Sequence, residues 1–222
     1  MIAARGAGAS RLRIAVPKGA LFDDSVRLLT AAGAEADVLN DAGRRLVVRG
    51  DSVDFVIGRP TDIPVYVAHG AVDCGIAGKD SLVEAALDVV EMVDLRFGHC
   101  RFVVAEPEDG QGLTREHYRH LGVVRVATKY PNVTERHFTN KGVQIEIVKL
   151  HGNIELAPLL GLAEQIVDIT ATGATLAQNG LRVVEDVLES TARFVANPAA
   201  LRLQGARIGA LADRLASLVP LQ

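Results

Sequence analysis

The sequence lacks the features that mark membrane, secreted or disulfide-stabilised proteins. Its 222 residues contain two cysteines, Cys74 and Cys100, too few for a disulfide framework and without the paired spacing of a zinc site. No apolar run approaches the roughly 18 residues that span a bilayer, and the Ala- and Gly-rich start has no apolar stretch typical of a signal peptide. These absences predict a reduced, cytoplasmic protein.

The sequence also lacks an excess of basic over acidic residues. Lys and Arg together number 24 against 27 Asp and Glu, which gives a formal net charge of −3. No general basic field is therefore available to hold a nucleic-acid backbone, and any phosphate site must be local. The hydrophobic fraction of 49% is that of an ordinary globular protein with a sizeable core.

What the sequence does contain is a regular alternation of β-rich runs and helical patterns. The predicted strands are Leu12–Val16, Leu46–Val48, Asp54–Ile57, Cys74–Ala77, Phe102–Ala105, Arg125–Ala127, Glu146–Val148 and Ile166–Thr170. The predicted helices are Phe22–Ala32, Asp62–His69, Lys79–Leu87, Asn132–Lys141, Glu155–Leu160 and Leu181–Glu189. This alternation predicts an α/β fold with largely parallel sheets.

The strands are too many for one small sheet, so we predict two lobes. The first lobe comprises residues 1–98 and the second 99–190, and residues 191–222 return to pack a last helix on the first lobe. Asn197 can cap that helix and Pro198 suits its first turn. In such folds ligands bind outside the carboxyl ends of strands, here in the cleft between lobes.

The stretch Ile166–Leu176, IVDITATGATL, carries the clearest chemistry. An apolar strand ends near Asp168, and a loop leads into a helical pattern through Ala171, Thr172, Gly173, Ala174 and Thr175. Glycine, hydroxyl groups and a helix start can cradle a phosphate, while Asp168 can accept hydrogen bonds from two ribose hydroxyls. The pattern favours a ribose-5-phosphate site, although a T-G-x-T turn can also be a simple link between strand and helix.

A longer pattern around this loop resembles a known family. Glu155–Leu181, ELAPLLGLAEQIVDITATGATLAQNGL, is similar over 27 residues to the phosphoribosyl pyrophosphate (PRPP) signature of ATP phosphoribosyltransferases. The resemblance extends over nearly the whole chain, through RIAVPKG at 13–19, RPTDIP at 59–64, GAVDCGIAGKD at 70–80 and ATKYPN at 127–132.

The resemblance implies a two-lobed fold like type II periplasmic binding proteins, with an inter-lobe cleft. It also implies transfer of the phosphoribosyl group from PRPP to N1 of ATP, the first step of histidine biosynthesis. Mg²⁺ would be bound chiefly through PRPP, and no protein ligand is assigned to it. Glu155 precedes a helical pattern and is a candidate first-turn helix acid, and the resemblance favours a place for it near the ribose or Mg²⁺. The length of 222 residues matches the short form of this family. The resemblance implies that this form is a homodimer, which works with a regulatory subunit resembling histidyl-tRNA synthetase.

The sequence departs from the family pattern at two places. Ala20 stands where an arginine often follows Lys-Gly, and Thr170-Ala171 replaces a common Val-Ser pair. We expect the second change to remove one hydroxyl from the loop, which would alter affinity without changing the assignment.

Several residues outside the loop are candidates for binding phosphates. Arg59 follows an apolar strand and is predicted to stabilise the pyrophosphate leaving group, because arginine binds phosphate oxygens bidentately and keeps its charge. Lys18 and Gly19 follow the first strand and are assigned to a phosphate. Arg44, next to Arg45, is a further candidate, although paired arginines often form a solvated turn. Asp80 is predicted either to contact ATP or to cap a helix.

Two other functions remain open at this stage. One is a ligand-binding module of the same two-lobed fold, either a solute-binding protein or a regulatory effector domain. The sequence disfavours it, because it lacks an export signal and a DNA-binding motif and carries an acid beside the sugar-phosphate loop. A phosphoribosyltransferase acting on a free base usually carries two adjacent acids before the loop, whereas Val167 precedes Asp168 here.

Overall fold

The computed structural model describes residues 11–110, 120 and 122–219. Within these ranges the chain divides into two compact units. The first contains the described residues up to Gly98 and from Thr191 onward, and the second runs from His99 to Ser190.

The described chain begins with a strand and ends with a helix, and some of its strands follow one another directly. In chain order they are β1 (Leu12–Pro17), α1 (Phe22–Ala31), a 3₁₀ helix (Ala36–Leu39), β2 (Val47–Arg49), β3 (Val53–Gly58), α2 (Ile63–Ala68), β4 (Cys74–Gly78), α3 (Lys79–Ala85), β5 (Val90–Asp94), β6 (Cys100–Pro107), β7 (Val124–Thr128), α4 (Pro131–Asn140), β8 (Ile145–Lys149), α5 (Leu156–Leu159), β9 (Gln165–Thr170), α6 (Ala174–Gln178), β10 (Leu181–Ser190), β11 (Ala192–Ala196) and α7 (Pro198–Leu218).

Each unit is built on one mixed sheet. The first sheet has the order β2-β3-β1-β4-β11-β5, and the second β10-β6-β9-β7-β8. Parallel pairing is confined to β3-β1-β4 in the first sheet and β9-β7-β8 in the second, and the remaining pairs are antiparallel. The α/β class is confirmed, but the sheets are more mixed than the alternation of strands and helices predicts.

The prediction of a helix at Leu181–Glu189 is wrong, because this segment forms β10. It pairs antiparallel with β6 through two register shifts, between Val183 and Glu185 and between Asp186 and Leu188. Such bulges interrupt the two-residue alternation of a strand. The apolar residues then recur at spacings that imitate a helix. The next strand, β11, was expected only as a connecting segment, yet it lies between β4 and β5.

A small apolar core fixes the elements around β9. Ile154, Ile166 and Ala157 are fully buried, and Leu176 is 3% exposed. These residues belong to one packed cluster of the second unit, which therefore anchors the segment before α5, the strand β9 and the helix α6 together. The segment before α5 and the loop between β9 and α6 are thereby both brought to the carboxyl end of β9.

The last helix, α7, begins as the sequence predicts. Asn197 Oδ1 accepts a hydrogen bond from the backbone N–H of Ala200 at 2.9 Å, and Pro198 occupies the first turn. The Asn197 amide also donates to the carbonyls of Val67 (2.8 Å) and Ala68 (3.1 Å) at the end of α2. No helix within the described ranges, α7 included, has the length and apolar character needed to cross a membrane.

Asn197 is therefore predicted to link two helices as well as to cap one. Asn197→Ala should lower the free energy of unfolding by about 2–3 kcal/mol, because it removes the cap and both hydrogen bonds to the carbonyls at the end of α2. Urea unfolding measures the loss. Asn197→Asp keeps the cap acceptor but places a carboxylate against the two carbonyls, so it should also destabilise. An unchanged midpoint in both variants would contradict this linking role.

Candidate functional site

A pocket of about 240 Å³ opens at the carboxyl end of β9 in the second unit. Its lining consists of Glu155, Asp168, Ile169, Thr170, Ala171, Thr172, Thr175 and Leu176. Five of the seven residues predicted for the sugar-phosphate site lie in this lining, and the other two, Gly173 and Ala174, complete the same loop. The structure thus brings the predicted loop and both predicted acids to one place.

Two hydroxyl groups hold the loop between β9 and α6. The Gly173 N–H donates to Thr170 Oγ1 at 2.7 Å, and the Ala174 N–H donates to Thr172 Oγ1 at 3.3 Å. Gly173 has a φ of +80°, which glycine adopts without the strain of a side chain. Because α6 has five residues, the contribution of a helix dipole is small. Anion binding at this loop must depend on local N–H and hydroxyl groups.

Asp168 is a nearly buried carboxylate, 9% exposed. It accepts a hydrogen bond from the Ile169 N–H at 2.8 Å. Burial raises the pKa of Asp168 above its usual range, the Ile169 hydrogen bond and the charge of Lys129 lower it, and the charge of Glu155 raises it. Asp168 and Glu155 are therefore close enough to interact across the pocket.

Glu155 is held at the pocket by its neighbours in sequence. Ile154 and Ala157, on either side of it, are fully buried. Glu155 precedes α5 but makes no side-chain capping hydrogen bond there. Its alternative role as a helix-capping acid is therefore not supported by a contact, and its half-buried side chain lines the pocket instead.

A second pocket, of about 360 Å³, lies within the first unit. Its lining consists of Lys18, Gly19, Phe22, Asp23, Ala42, Gly43, Arg44, Arg45, Leu46 and Ile57. Arg45 is braced by hydrogen bonds to the carbonyls of Ala42 (3.1 Å) and Asp41 (2.6 Å), whereas the exposed Arg44 makes no such contact with the described residues. Three of the four residues predicted to bind ATP or phosphate thus share one pocket.

Arg59 and Asp80 do not line either pocket but lie at the same sheet edge as Lys18. Pro17 of β1 pairs with Gly58 of β3, and the Lys18 N–H donates to the Gly58 carbonyl at 2.9 Å. Lys18 and the exposed Arg59 therefore follow adjacent parallel strands. Asp80 lies in the first turn of α3, directly after the third parallel strand, and accepts a hydrogen bond from the Ser81 hydroxyl at 3.2 Å.

Two residues near the first pocket were missed by reasoning from sequence. Lys129 directly follows β7, which pairs in parallel with β9 through Thr128 and Val167. This pairing brings an exposed ammonium near Asp168. The second residue is Thr170. The expectation that the Thr170-Ala171 pair removes a hydroxyl from the loop is wrong, because the Thr170 hydroxyl accepts a hydrogen bond from the Gly173 N–H.

Several known proteins of one family are similar to this chain in sequence. A sequence model of the ATP phosphoribosyltransferases matches residues 59–217. An ATP phosphoribosyltransferase of Rubrobacter xylanophilus is 50% identical over 200 residues, covering 90% of this chain and 93% of the relative. One from Geobacter metallireducens is 47% identical over 207 residues, covering 92% and 96%.

The chain belongs to the ATP phosphoribosyltransferase family. The enzyme class expected from the sequence is thereby confirmed: a pentosyltransferase whose family catalyses the first step of histidine biosynthesis.

Solved structures support both the family and the fold. A chain of the ATP phosphoribosyl transferase (HisG:HisZ) complex from Thermotoga maritima aligns with a TM-score of 0.79 and 31% identity, covering 94% of this chain and 98% of that chain. The periplasmic aliphatic sulphonate binding protein SsuA of Escherichia coli aligns at 0.54 with 17% identity, covering 93% of this chain and 68% of that one, which shows the fold alone. The likeness to periplasmic binding proteins is confirmed.

The buried carboxylate of Asp168 should oppose folding at neutral pH. The pKa of Asp168 is raised in the folded protein, so its protonated form contributes stability below the ordinary carboxyl pKa of about 4. That contribution is lost as the pH rises through the raised pKa. Asp168→Asn should therefore increase the melting temperature of the ligand-free protein, and the difference from wild type should grow between pH 4 and pH 8.

Thermal unfolding without nucleotide and with a chelator tests this, with the exposed Glu146→Gln as the carboxylate-to-amide control. A melting temperature of Asp168→Asn below that of wild type at pH 8 would show that the carboxylate stabilises the empty pocket.

Proposed function

We propose that this chain transfers the phosphoribosyl group of PRPP to N1 of ATP, with PRPP bound in the pocket at the end of β9. The observation that carries the proposal is the meeting of a hydroxyl-rich loop with two carboxylates, Glu155 and Asp168, in one pocket. A sugar phosphate presents the complementary pattern, an anion at one end and a pair of hydroxyl donors at the other.

The 5′-phosphate is assigned to the loop Ala171–Thr175. Gly173 turns the backbone through a positive φ, and a Cβ added there would have no atom within 4 Å, so the loop is open to a ligand. Thr172 and Thr175 supply exposed hydroxyl donors beside the backbone. Hydrogen bonds to a charged phosphate are stronger than those to neutral groups, which suits a small loop whose donors are N–H and hydroxyl groups.

The ribose hydroxyls are assigned to Asp168, with Glu155 beside it. A carboxylate accepts two hydrogen bonds from adjacent hydroxyls, and such donors offset the burial of Asp168. Lys129 lies near enough to influence the Asp168 charge and makes no ion pair with the described residues, so it is available to a phosphate of the substrate.

We expect Mg²⁺ to bind in this pocket together with the substrate. The described residues hold no group of three or more His, Cys, Asp or Glu that could bind a metal ion. The two interacting carboxylates, Glu155 and Asp168, would offer oxygen ligands of the kind that Mg²⁺ prefers, and water and substrate oxygens would supply the rest. When bound, the ion would offset the negative charge of the pyrophosphate.

ATP is assigned to the first unit. The pocket there combines the cations Lys18 and Arg44 with an apolar wall that includes Phe22, Leu46 and Ile57. Cations suit the triphosphate and an apolar wall suits a base. Asp80 stays a predicted ATP contact, since its carboxylate lies at the same edge of the first sheet.

The reaction needs alignment more than it needs a base. N1 of adenine carries a free lone pair, which forms the new bond to C1 of the ribose while the bond from C1 to pyrophosphate breaks and its electron pair leaves with pyrophosphate. Arg59 is assigned to this leaving group, because a guanidinium keeps its charge and binds phosphate oxygens. Its place at the carboxyl end of β3, exposed and without a protein partner among the described residues, supports that role.

We also propose that the chain forms a homodimer, works in the cytoplasm and associates with a regulatory subunit resembling histidyl-tRNA synthetase. Support comes from the Thermotoga maritima structure, which is a HisG:HisZ complex and aligns over 98% of its chain. The two cysteines, Cys74 and Cys100, are not joined in a disulfide, in keeping with a reducing compartment.

Asp168→Asn is expected to weaken PRPP binding by about tenfold or more, because hydrogen bonds to a charged group each contribute about 1.5–3 kcal/mol. Isothermal calorimetry with Mg²⁺ and PRPP measures this, and Glu146→Gln serves as the control. ATP affinity should stay within about twofold of wild type. Normal PRPP affinity in the Asp168 variant would remove the ribose assignment.

Arg59→Ala is expected to lower kcat on the order of a hundredfold, the typical effect of removing one group that stabilises developing charge. KM for either substrate should change by less than about threefold. Steady-state kinetics measure both, and the exposed Arg49→Ala in the same unit is the matched control. A rise in KM with unchanged kcat would assign Arg59 to substrate binding instead of to the leaving group.

A further inference from the structure

The loop of the proposed PRPP pocket is anchored at its two ends but not in its middle. Asp168 at one end and Leu176 at the other are buried, at 9% and 3% exposure. Between them Ala171, Thr172 and Ala174 are exposed, and Gly173 has no neighbouring atom where a side chain would begin. Packing therefore does not fix the shape of this segment.

Two side-chain hydrogen bonds lie within this segment, and one of them connects it to β9. Thr170 Oγ1 accepts the Gly173 N–H at 2.7 Å, a shorter contact than the 3.3 Å between Thr172 Oγ1 and the Ala174 N–H. Thr170 itself is fixed, because it is the last residue of β9 and pairs with Arg101 of β6. Its hydroxyl thus connects a residue held by the sheet to the glycine at which the loop turns.

We propose that Thr170 is a positioning residue, whose hydroxyl holds the loop in its phosphate-accepting shape before PRPP binds. The inference rests on the proposed function of the pocket and extends it to a residue outside the predicted contact set. Ordering a flexible loop on binding reduces affinity, so a loop that is ordered beforehand binds its ligand more tightly. Thr170 needs no contact with the reacting atoms to have this effect.

The opposite role predicts the opposite result. If the phosphate needs the Gly173 N–H for itself, the Thr170 hydroxyl competes with the ligand, and removing it should tighten PRPP binding. The two roles can be separated by two variants. Thr170→Val replaces the hydroxyl by a methyl group at nearly the same size, and Thr170→Ser keeps the hydroxyl but loses the methyl group.

The experiment compares wild type, Thr170→Val, Thr170→Ser and Thr139→Val, the last an exposed Thr-to-Val control on α4. For Thr170→Val we expect a three- to tenfold rise, roughly the effect of one hydrogen bond, in both the PRPP dissociation constant and KM for PRPP. The values of kcat and KM for ATP should stay within about twofold. Thr170→Ser and Thr139→Val should behave as wild type.

Amide hydrogen exchange of Gly173 in the ligand-free protein gives an independent reading. Exchange should be faster in Thr170→Val than in the other three proteins. Unchanged or tighter PRPP binding by Thr170→Val, or an equal loss in Thr170→Ser, overturns the positioning role while leaving the pocket assignment intact. Absence of saturable PRPP binding in wild type overturns the proposed function itself and this inference with it.

Discussion

The pocket of the second unit depends on a carboxylate that the fold keeps away from water. Burial pushes Asp168 toward its neutral form, and the neighbouring charge of Glu155 acts in the same direction. The Ile169 N–H and Lys129 oppose this only in part. In the proposed function, ribose hydroxyls and a substrate-borne cation supply the missing donors and positive charge. Part of the binding energy then comes from relieving an unfavourable state that folding creates.

The sheet makes this arrangement possible. β9 lies between β6 and β7, where Asp168 pairs with Val103 of β6 and its neighbour Val167 pairs with Thr128 of β7. Ile154, Ile166 and Leu176 pack the flanking segments into one core. The first unit uses parallel strands differently, bringing the cations Lys18 and Arg59 to adjacent strand ends. The second unit therefore contributes two acids and an open loop, and the first contributes exposed cations at neighbouring strand ends.

Sequence alone predicted the loop well, because an apolar strand, an acid and a glycine turn follow one another within eleven residues, Ile166–Leu176. It failed for β10, whose two bulges give apolar spacings like those of a helix. The sequence does not predict Lys129 near Asp168, because that position depends on the pairing of β7 with β9, which are far apart in sequence. The Thr170 hydrogen bond depends on backbone angles of the loop, and no residue pattern reports those. Glu155 was predicted only through the family resemblance.

A crystal structure of the protein with Mg²⁺ and PRPP tests the central claim most directly. The account predicts the 5′-phosphate against the segment Ala171–Thr175 and the ribose hydroxyls within hydrogen-bonding distance of the Asp168 carboxylate. PRPP bound at another place, with the loop after β9 free of ligand, would contradict it.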